Sequence, residues 1–95
     1  MTSPANLRRR SSGNDRLHLL FLTRPGCHLC DEMEALLATE LPQLGATYEA
    51  FNVDHDPGLR QRYGDVIPVL MRDGKAVAKV RCSAAQLRRI VARKR

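Results

Sequence analysis

The spacing of apolar residues along the chain separates predicted strands from predicted helices. Residues 17–22 form a run of strand-forming residues that predicts a strand. A second set of apolar residues recurs at intervals of three and four, the spacing of an amphipathic helix. These residues are Leu29, Met33, Leu36, Leu37 and Leu41. Pro42 and Gly45 are expected to end this helix.

Two later segments, residues 47–53 and 66–71, also predict strands. Asp73-Gly74 follows the second of them and leads into residues 75–80, a further predicted strand. Because a type I′ turn needs positive φ at both central positions, this dipeptide between apolar runs is a strong hairpin signal. The chain is therefore expected to contain an antiparallel pair of strands near its end.

Two capping signals mark the remaining helices. Asp56 before Pro57 is typical of an N-cap followed by proline at the first helical position. This short helix is expected to stop at Gly64. Ser83 begins a capping box for the last helix. The predicted order is β-α-β-α-β-β-α, in which strands joined through a helix should be parallel.

The length of 95 residues allows one domain with one small core. Residues 1–15 are polar, basic and rich in Ser, Asn and Gly, so they are predicted to form a disordered basic tail. Residues 16–95 then make up the predicted domain. Since no apolar run is long enough to span a membrane, no membrane partner is expected.

The formal net charge of +6 comes largely from basic residues at the two ends of the chain. They are Arg8, Arg9, Arg10, Arg88, Arg89, Arg93, Lys94 and Arg95. Basic ends can contact the phosphates of nucleic acid, but more often they are solvated ends that aid solubility. Nucleic acid is therefore not the expected partner.

The number of cysteines bears on the compartment. Three cysteines are an odd number, so they cannot all pair in disulfides within one chain, as the cysteines of a secreted disulfide-rich protein usually do. A Cys-x-x-Cys pair without a recognisable secretory signal points to a reducing compartment, and the cytoplasm is the predicted location. The Arg- and Ser-rich tail also loosely fits an organellar transit peptide, which is the weaker alternative.

The strongest chemical signal is the sequence Cys27-His28-Leu29-Cys30. Two thiols at this spacing can close a small disulfide or supply half of a metal site. Because a predicted strand precedes the pair and a predicted helix follows it, Cys27 should lie at the helix start. Unpaired N–H groups and the helix dipole stabilise a thiolate there. We therefore predict that Cys27 is the more exposed and more acidic of the two thiols.

Three further segments extend this signal beyond the cysteine pair. Thr23-Arg24-Pro25-Gly26 leads into it, Asn52-Val53-Asp54 ends the second strand, and Ile67-Pro68 precedes the hairpin. With the order of elements, these residues resemble the glutaredoxin branch of the thioredoxin superfamily, and more narrowly the small bacterial glutaredoxin-like proteins with a Cys-His-x-Cys motif. The resemblance covers residues 17–91. It implies a thioredoxin-like α/β fold, with a four-stranded mixed sheet and helices on both faces.

The resemblance also implies a thiol–disulfide oxidoreductase, in which Cys27 attacks a substrate disulfide and Cys30 resolves the mixed disulfide. The family's proline before the third strand is cis, which would make Pro68 that residue and Ile67 a backbone contact for the substrate. A trans proline at the first residue of a strand is the alternative. Arg24 sits where glutaredoxins hold a carboxylate of glutathione, although a solvent-facing loop arginine fits this position equally well.

One segment departs from the glutathione-using members of the family. Those proteins carry a Gly-Gly pair and an acidic residue before the last helix, where this chain has Val80-Arg81-Cys82-Ser83-Ala84. Glutathione therefore stays open as a co-substrate, but this chain lacks the residues that usually bind its far end. No bound cofactor is expected. Cys82 is a candidate third or regulatory thiol, or more simply a small semi-buried filler. His28 is expected either to stabilise the thiolate or to cover the turn.

Two other function classes stay open. Cys27, Cys30, Cys82 and His28 provide ligand types for zinc, and a dimer could share an iron–sulfur cluster. A single Cys-x-x-Cys and the adjacency of Cys27 and His28 weigh against a metal site. The third class is a non-catalytic redox-sensing module. As an enzyme, the chain is expected to act as a monomer on a protein or low-molecular-weight disulfide, with glutathione or a reductase as electron donor.

Overall fold

Seven regular elements follow one another in the order that the apolar pattern predicts. The computed structural model describes residues 17–93, so the tail predicted for residues 1–15 lies outside the described residues. The strands are β1 (His18–Thr23), β2 (Thr47–Asn52), β3 (Val69–Arg72) and β4 (Lys75–Lys79). The helices are α1 (His28–Leu44), α2 (Pro57–Tyr63) and α3 (Ala84–Ala92), and a single 3-10 turn covers Val53–His55.

β1 is a central strand of the sheet because both of its faces are apolar. Leu19 and Phe21 are fully buried on one face, and Leu22 is fully buried on the other. β1 pairs in parallel with β2 and antiparallel with β3, and β4 completes the order β2-β1-β3-β4. The predicted fold class, α/β with a four-stranded mixed sheet, is confirmed.

Helices cover both faces of this sheet, as predicted. α1 and α3 lie on the face of Leu19 and Phe21, where both helices contribute buried side chains. These side chains are Cys30, Met33, Leu37, Leu41, Leu87 and Ile90. On the opposite face, Leu59 and Tyr63 of α2 pack against the cluster that contains Leu22. Because each fully buried Leu or Phe contributes about 1.5–3 kcal/mol, these two layers hold the helices in place.

α1 continues past Pro42, one of the two residues expected to end it, and reaches Leu44. The predicted stop at Gly45 is confirmed. Gly45 has φ of 71° and donates its N–H to the Pro42 carbonyl, while the Ala46 N–H donates to the Leu41 carbonyl. This is the Schellman arrangement. Pro42 removes only one helical hydrogen bond, and the burial of Leu41 together with this cap outweighs that loss.

The strand ends differ from the predictions by one to three residues, and three of these differences have a local cause. β2 ends at Asn52 because Val53 already belongs to the 3-10 turn. β3 begins at Val69 rather than residue 66, since Pro68 has no N–H to donate to the ladder. β4 ends at Lys79 because Val80 adopts φ of 68°, outside the extended region.

The N-cap residues and the hairpin turn are confirmed. The Asp56 side chain accepts the Leu59 N–H at 3.1 Å, and the Ser83 hydroxyl accepts the Gln86 N–H at 3.0 Å. Asp73 and Gly74 have φ of 53° and 82°, as a type I′ turn requires. In the part of the chain that the structure describes, no helix has the length and apolar character needed to cross a membrane.

Arg72 is a charged side chain that lies buried beneath the end of α3, with 9% of its surface exposed. Its guanidinium donates hydrogen bonds to the carbonyls of Ile90 and Arg93, and its Nε lies 3.6 Å from Oδ2 of Asp73. The last carbonyls of a helix lack intrahelical partners and carry partial negative charge. Arg72 therefore caps α3 from within the sheet.

Replacing Arg72 with methionine should lower the free energy of unfolding by about 2–4 kcal/mol, because two carbonyls lose a charged donor. Arg88→Met is the matched control. Arg88 is exposed and lies 3.7 Å from Glu40, an ion pair of a kind that contributes about 1 kcal/mol or less. Urea denaturation followed by circular dichroism measures both variants. Equal losses in the two would contradict the capping role of Arg72.

Candidate active site at the start of α1

Cys27 and Cys30 meet at the first turn of α1. Cys27 is the N-cap residue, with extended backbone angles, and its Sγ accepts the Cys30 N–H at 3.1 Å. The structure holds the two residues as a disulfide with a Cα–Cα distance of 5.1 Å, within the usual range for such bonds. Because the sulfur of Cys27 replaces a capping hydroxyl, the helix N-terminus is built around the cysteine pair.

The two sulfurs differ sharply in exposure. Cys30 has no exposed surface and belongs to the core cluster beneath α1, together with Met33 and Leu37. Cys27 is partly exposed and packs against the edge of that cluster. The prediction that Cys27 is the more exposed thiol is confirmed. An external disulfide can therefore reach Cys27 directly, whereas Cys30 is accessible only to Cys27.

The Ile67–Pro68 segment lies at the same end of the sheet, and its peptide bond is cis. Pro68 is fully buried, while Ile67 is partly exposed and packs against both core clusters. The Pro68 carbonyl accepts the Val80 N–H at 2.7 Å. This hydrogen bond links the segment that leads into α3 to the segment that leads into β3. The backbone contact of Ile67 with a substrate stays a prediction.

Arg24, predicted to bind substrate, forms an ion pair with Asp54. Its Nε and Nη2 donate to the two carboxylate oxygens at 2.9 and 2.8 Å, and Nη1 lies 3.5 Å from the Gly64 carbonyl. The hydrogen bond from Arg24 lowers the pKa of the Asp54 carboxyl. The same hydrogen bond raises the pKa of Arg24. The charge that Arg24 could offer to a neighbouring thiolate is therefore largely compensated by Asp54.

Asp54 is a site residue to which the sequence analysis assigns no role. The sequence marks Asn52-Val53-Asp54 only as a family signature, and the partner of Asp54, Arg24, lies thirty residues earlier. In the structure, Asn52 Oδ1 accepts the Asp54 N–H at 2.9 Å, and Val53 is fully buried. Asn52 and Val53 therefore hold Asp54 in position.

His28 lies at the surface beside the pair, with 85% of its side chain exposed. Its Nε2 is 2.8 Å from Oε2 of Glu32, one helical turn along α1. This contact keeps the imidazole on the outer side of the helix. A contact of His28 with a substrate or with the thiolate stays a prediction.

Cys82 lines an open groove of about 560 Å³ between α1 and the start of α3. Leu29, Leu36 and Gln86 line the same groove. Cys82 is partly buried, its Sγ–H donates to the Ser83 carbonyl at 3.5 Å, and burial raises the pKa of its thiol. Cys82 therefore has the surroundings of a poorly reactive thiol.

The chain turns sharply where it enters this groove. Val80 has φ of 68°, which β-branched residues rarely adopt. The Arg81 N–H donates to the Lys79 carbonyl at 2.7 Å, so the three residues form a γ-turn. Val80 thus makes a turn at the start of residues 80–84, the segment in which the Gly-Gly pair of the glutathione-using proteins is absent.

The metal alternative depends on the same residues. Within residues 17–93, no group of three or more His, Cys, Asp or Glu side chains lies close enough to hold a metal ion. What the site does bring together is one accessible sulfur, one buried sulfur and a helix N-terminus whose Cys30 N–H donates to the accessible one. This arrangement is suited to forming and breaking a disulfide.

Comparison with known proteins places this geometry in a family. The model of the Glutaredoxin-like domain (DUF836) matches residues 18–92 of the chain. The uncharacterized protein Rv0508 of Mycobacterium tuberculosis is 34% identical over 77 residues, covering 76% of this chain and 79% of the relative. Mb0520 of Mycobacterium bovis, also uncharacterized, matches to the same extent.

Solved structures share the architecture. Protein XcR50 from X. campestris is 32% identical with a TM-score of 0.61, over 74% of this chain and 89% of its own. Protein Ne2328 from Nitrosomonas europaea has a TM-score of 0.72 over 90% and 100%, and its 24% identity supports the fold alone. A mutant thioredoxin from Halobacterium salinarum is 25% identical, with a TM-score of 0.58 over 82% and 74%. The chain therefore belongs to the glutaredoxin-like domain family and has a thioredoxin-like fold.

Proposed function

We propose that this protein is a thiol–disulfide oxidoreductase that works through a Cys27/Cys30 dithiol–disulfide cycle. One observation carries the proposal: the accessible sulfur caps α1 while its partner, 5.1 Å away between Cα atoms, has no exposed surface. A nucleophile needs access and a stabilised thiolate, whereas a resolving thiol needs only its neighbour. The two environments at the start of α1 meet these separate requirements.

The cycle consists of two successive thiol–disulfide exchange steps. The Cys27 thiolate attacks a substrate disulfide, whose S–S bond breaks; one substrate thiolate leaves and takes up a proton. Cys30 then loses its proton and attacks the Cys27 sulfur, which releases the second substrate thiol and leaves the Cys27–Cys30 disulfide. Two electrons pass from the protein to the substrate. A thiol donor, glutathione or the dithiol of a reductase, returns them.

We expect a monomer that acts on a protein or low-molecular-weight disulfide, with Ile67, Pro68 and His28 lining the approach to Cys27. We propose a cytoplasmic location because a reducible pair and a third unpaired cysteine suit a reducing compartment. Glutathione is the less favoured electron donor, since Val80-Arg81-Cys82-Ser83-Ala84 contains neither the Gly-Gly pair nor the acidic residue of the glutathione-using proteins.

Trapping of the mixed disulfide tests the assignment of the two sulfurs. Cys30→Ser should accumulate a covalent adduct at Cys27 with a disulfide substrate, because the resolving step is lost. Cys27→Ser should form no adduct at the pair and should lower the rate of disulfide reduction by roughly a thousandfold or more. Mass spectrometry of the adduct and an insulin or 2-hydroxyethyl disulfide assay measure the two effects.

The opposite pattern, with the adduct at Cys30, would contradict the assignment. Reversible oxidation of the wild-type pair without any turnover would instead support a redox-sensing module. The matched control is Cys82→Ser, which removes a thiol of the same chemistry outside the pair. It is expected to retain the activity of the wild type.

The third thiol has its own pH dependence. Burial raises the pKa of Cys82, so the reactive thiolate should form only above the pH at which an ordinary thiol ionises. In the oxidised protein Cys82 is the free cysteine of the chain, and its alkylation by iodoacetamide can be followed alone. The rate should be slow at pH 7 and reach half its maximum at a higher pH than free cysteine. A midpoint at or below that of free cysteine would overturn this expectation.

A further inference from the structure

A cation lies close to the dithiol in the chain. Arg24 directly follows β1 and precedes Cys27 by three residues, so their Cα atoms are at most about 11 Å apart. This distance is comparable to the screening length at physiological salt, about 8 Å. An uncompensated guanidinium here would attract substrates that carry a carboxylate beside the disulfide.

That guanidinium is already occupied by a carboxylate from the chain itself. Asp54 accepts from both Nε and Nη2 at 2.9 and 2.8 Å, the two-pronged geometry that a substrate carboxylate would use. Each side chain of the pair remains 37% exposed, so the site stays in reach of solvent. The third nitrogen, Nη1, faces the Gly64 carbonyl at 3.5 Å.

Asp54 is held where it is by the residues before it. Asn52 Oδ1 accepts its N–H, and the fully buried Val53 fixes the backbone of the 3-10 turn. Gly64 completes the site from the other side. A Cβ at Gly64 would lie only 2.5 Å from the Arg60 carbonyl, so a side chain there would force the backbone beside Arg24 to shift, whereas its 3.4 Å distance to Nη2 of Arg24 is an ordinary contact.

We propose that Asp54 is a specificity-determining residue that occupies the anion-binding edge of Arg24. An external carboxylate must displace a tethered one, whose effective concentration is in the millimolar range or above. The active site therefore gives a disulfide with a carboxylate close to the sulfur no electrostatic advantage over an uncharged one. This inference deepens the proposed oxidoreductase function and, for substrate turnover, rests on it.

Alkylation of the reduced protein tests the charge selectivity without turnover. Iodoacetate and iodoacetamide both react with the Cys27 thiolate, so the ratio of their rates cancels the pKa of the thiol and reports local attraction for an anion. Asp54→Asn should raise the iodoacetate/iodoacetamide ratio about two- to fivefold, the effect expected of one exposed charge pair. Peptide mapping assigns the reaction to Cys27.

Two further variants separate the pair from general charge effects. Asp65→Asn is the matched control, because Asp65 is exposed and acts on Arg24 only through space. It should change the ratio less than Asp54→Asn does. Adding Arg24→Gln to Asp54→Asn should return the ratio to the wild-type value. An unchanged ratio in Asp54→Asn would overturn the inference.

Should Asp54→Asn fail to fold, Arg24→Gln alone gives the reverse test. It leaves the Asp54 carboxylate without its cation, so the ratio should fall about two- to fivefold below that of the wild type. An unchanged ratio would again count against occupation of Arg24 by Asp54. A change in unfolding midpoint without any change in the ratio would identify the pair as a structural tie only.

Turnover separates this inference from the proposed function. The KM for 3,3′-dithiodipropionate, a dicarboxylate, should fall about two- to fivefold in Asp54→Asn, while that for 2-hydroxyethyl disulfide should stay unchanged. If the wild type reduces the neutral disulfide but Asp54→Asn shows no such split, only the inference fails. If the wild type reduces neither, the proposed function fails, and the alkylation ratio still decides the role of Asp54.

Discussion

The burial of β1 on both faces is the constraint on which the rest of the structure depends. Leu19 and Phe21 fill one side of the strand and Leu22 the other, so helices must cover the sheet on both sides and neighbouring strands must protect both edges. To reach the parallel strand β2, the chain has to cross the Leu19 face as α1. The first turn of α1 therefore stands directly beyond the end of β1. Cys27 and Cys30 differ in exposure because one caps that turn and the other points from it into the core.

The same constraint brings charged groups to this edge. β1 and β2 are parallel, so the residues that follow them emerge side by side, and Arg24 meets Asp54 across a gap of thirty residues. Side chains at the carboxyl ends of parallel strands often carry the chemistry of α/β proteins. In this protein the charges of Arg24 and Asp54 largely cancel each other. Stabilisation of a Cys27 thiolate is consequently left mainly to the backbone N–H groups and dipole of α1.

The predictable features are those whose cause is local. The caps at Asp56 and Ser83 and the hairpin at Asp73-Gly74 need only neighbouring residues, and they occur where the sequence puts them. The periodicity of α1 likewise places Cys30 on the buried face, so the contrast between the two thiols is predictable. The Arg24–Asp54 pair and the burial of Arg72 are not, because each depends on which distant segments the sheet brings together.

The complete burial of Cys30 has a consequence for the order of events in a dithiol cycle. A substrate disulfide and a reducing thiol both have to act at the sulfur of Cys27, since the other sulfur is closed to solvent in the oxidised protein. The oxidant and the reductant must then use the same surface, one after the other, and no complex can hold both. Such a protein would show ping-pong kinetics, and an excess of either partner would inhibit the other by occupying the shared surface.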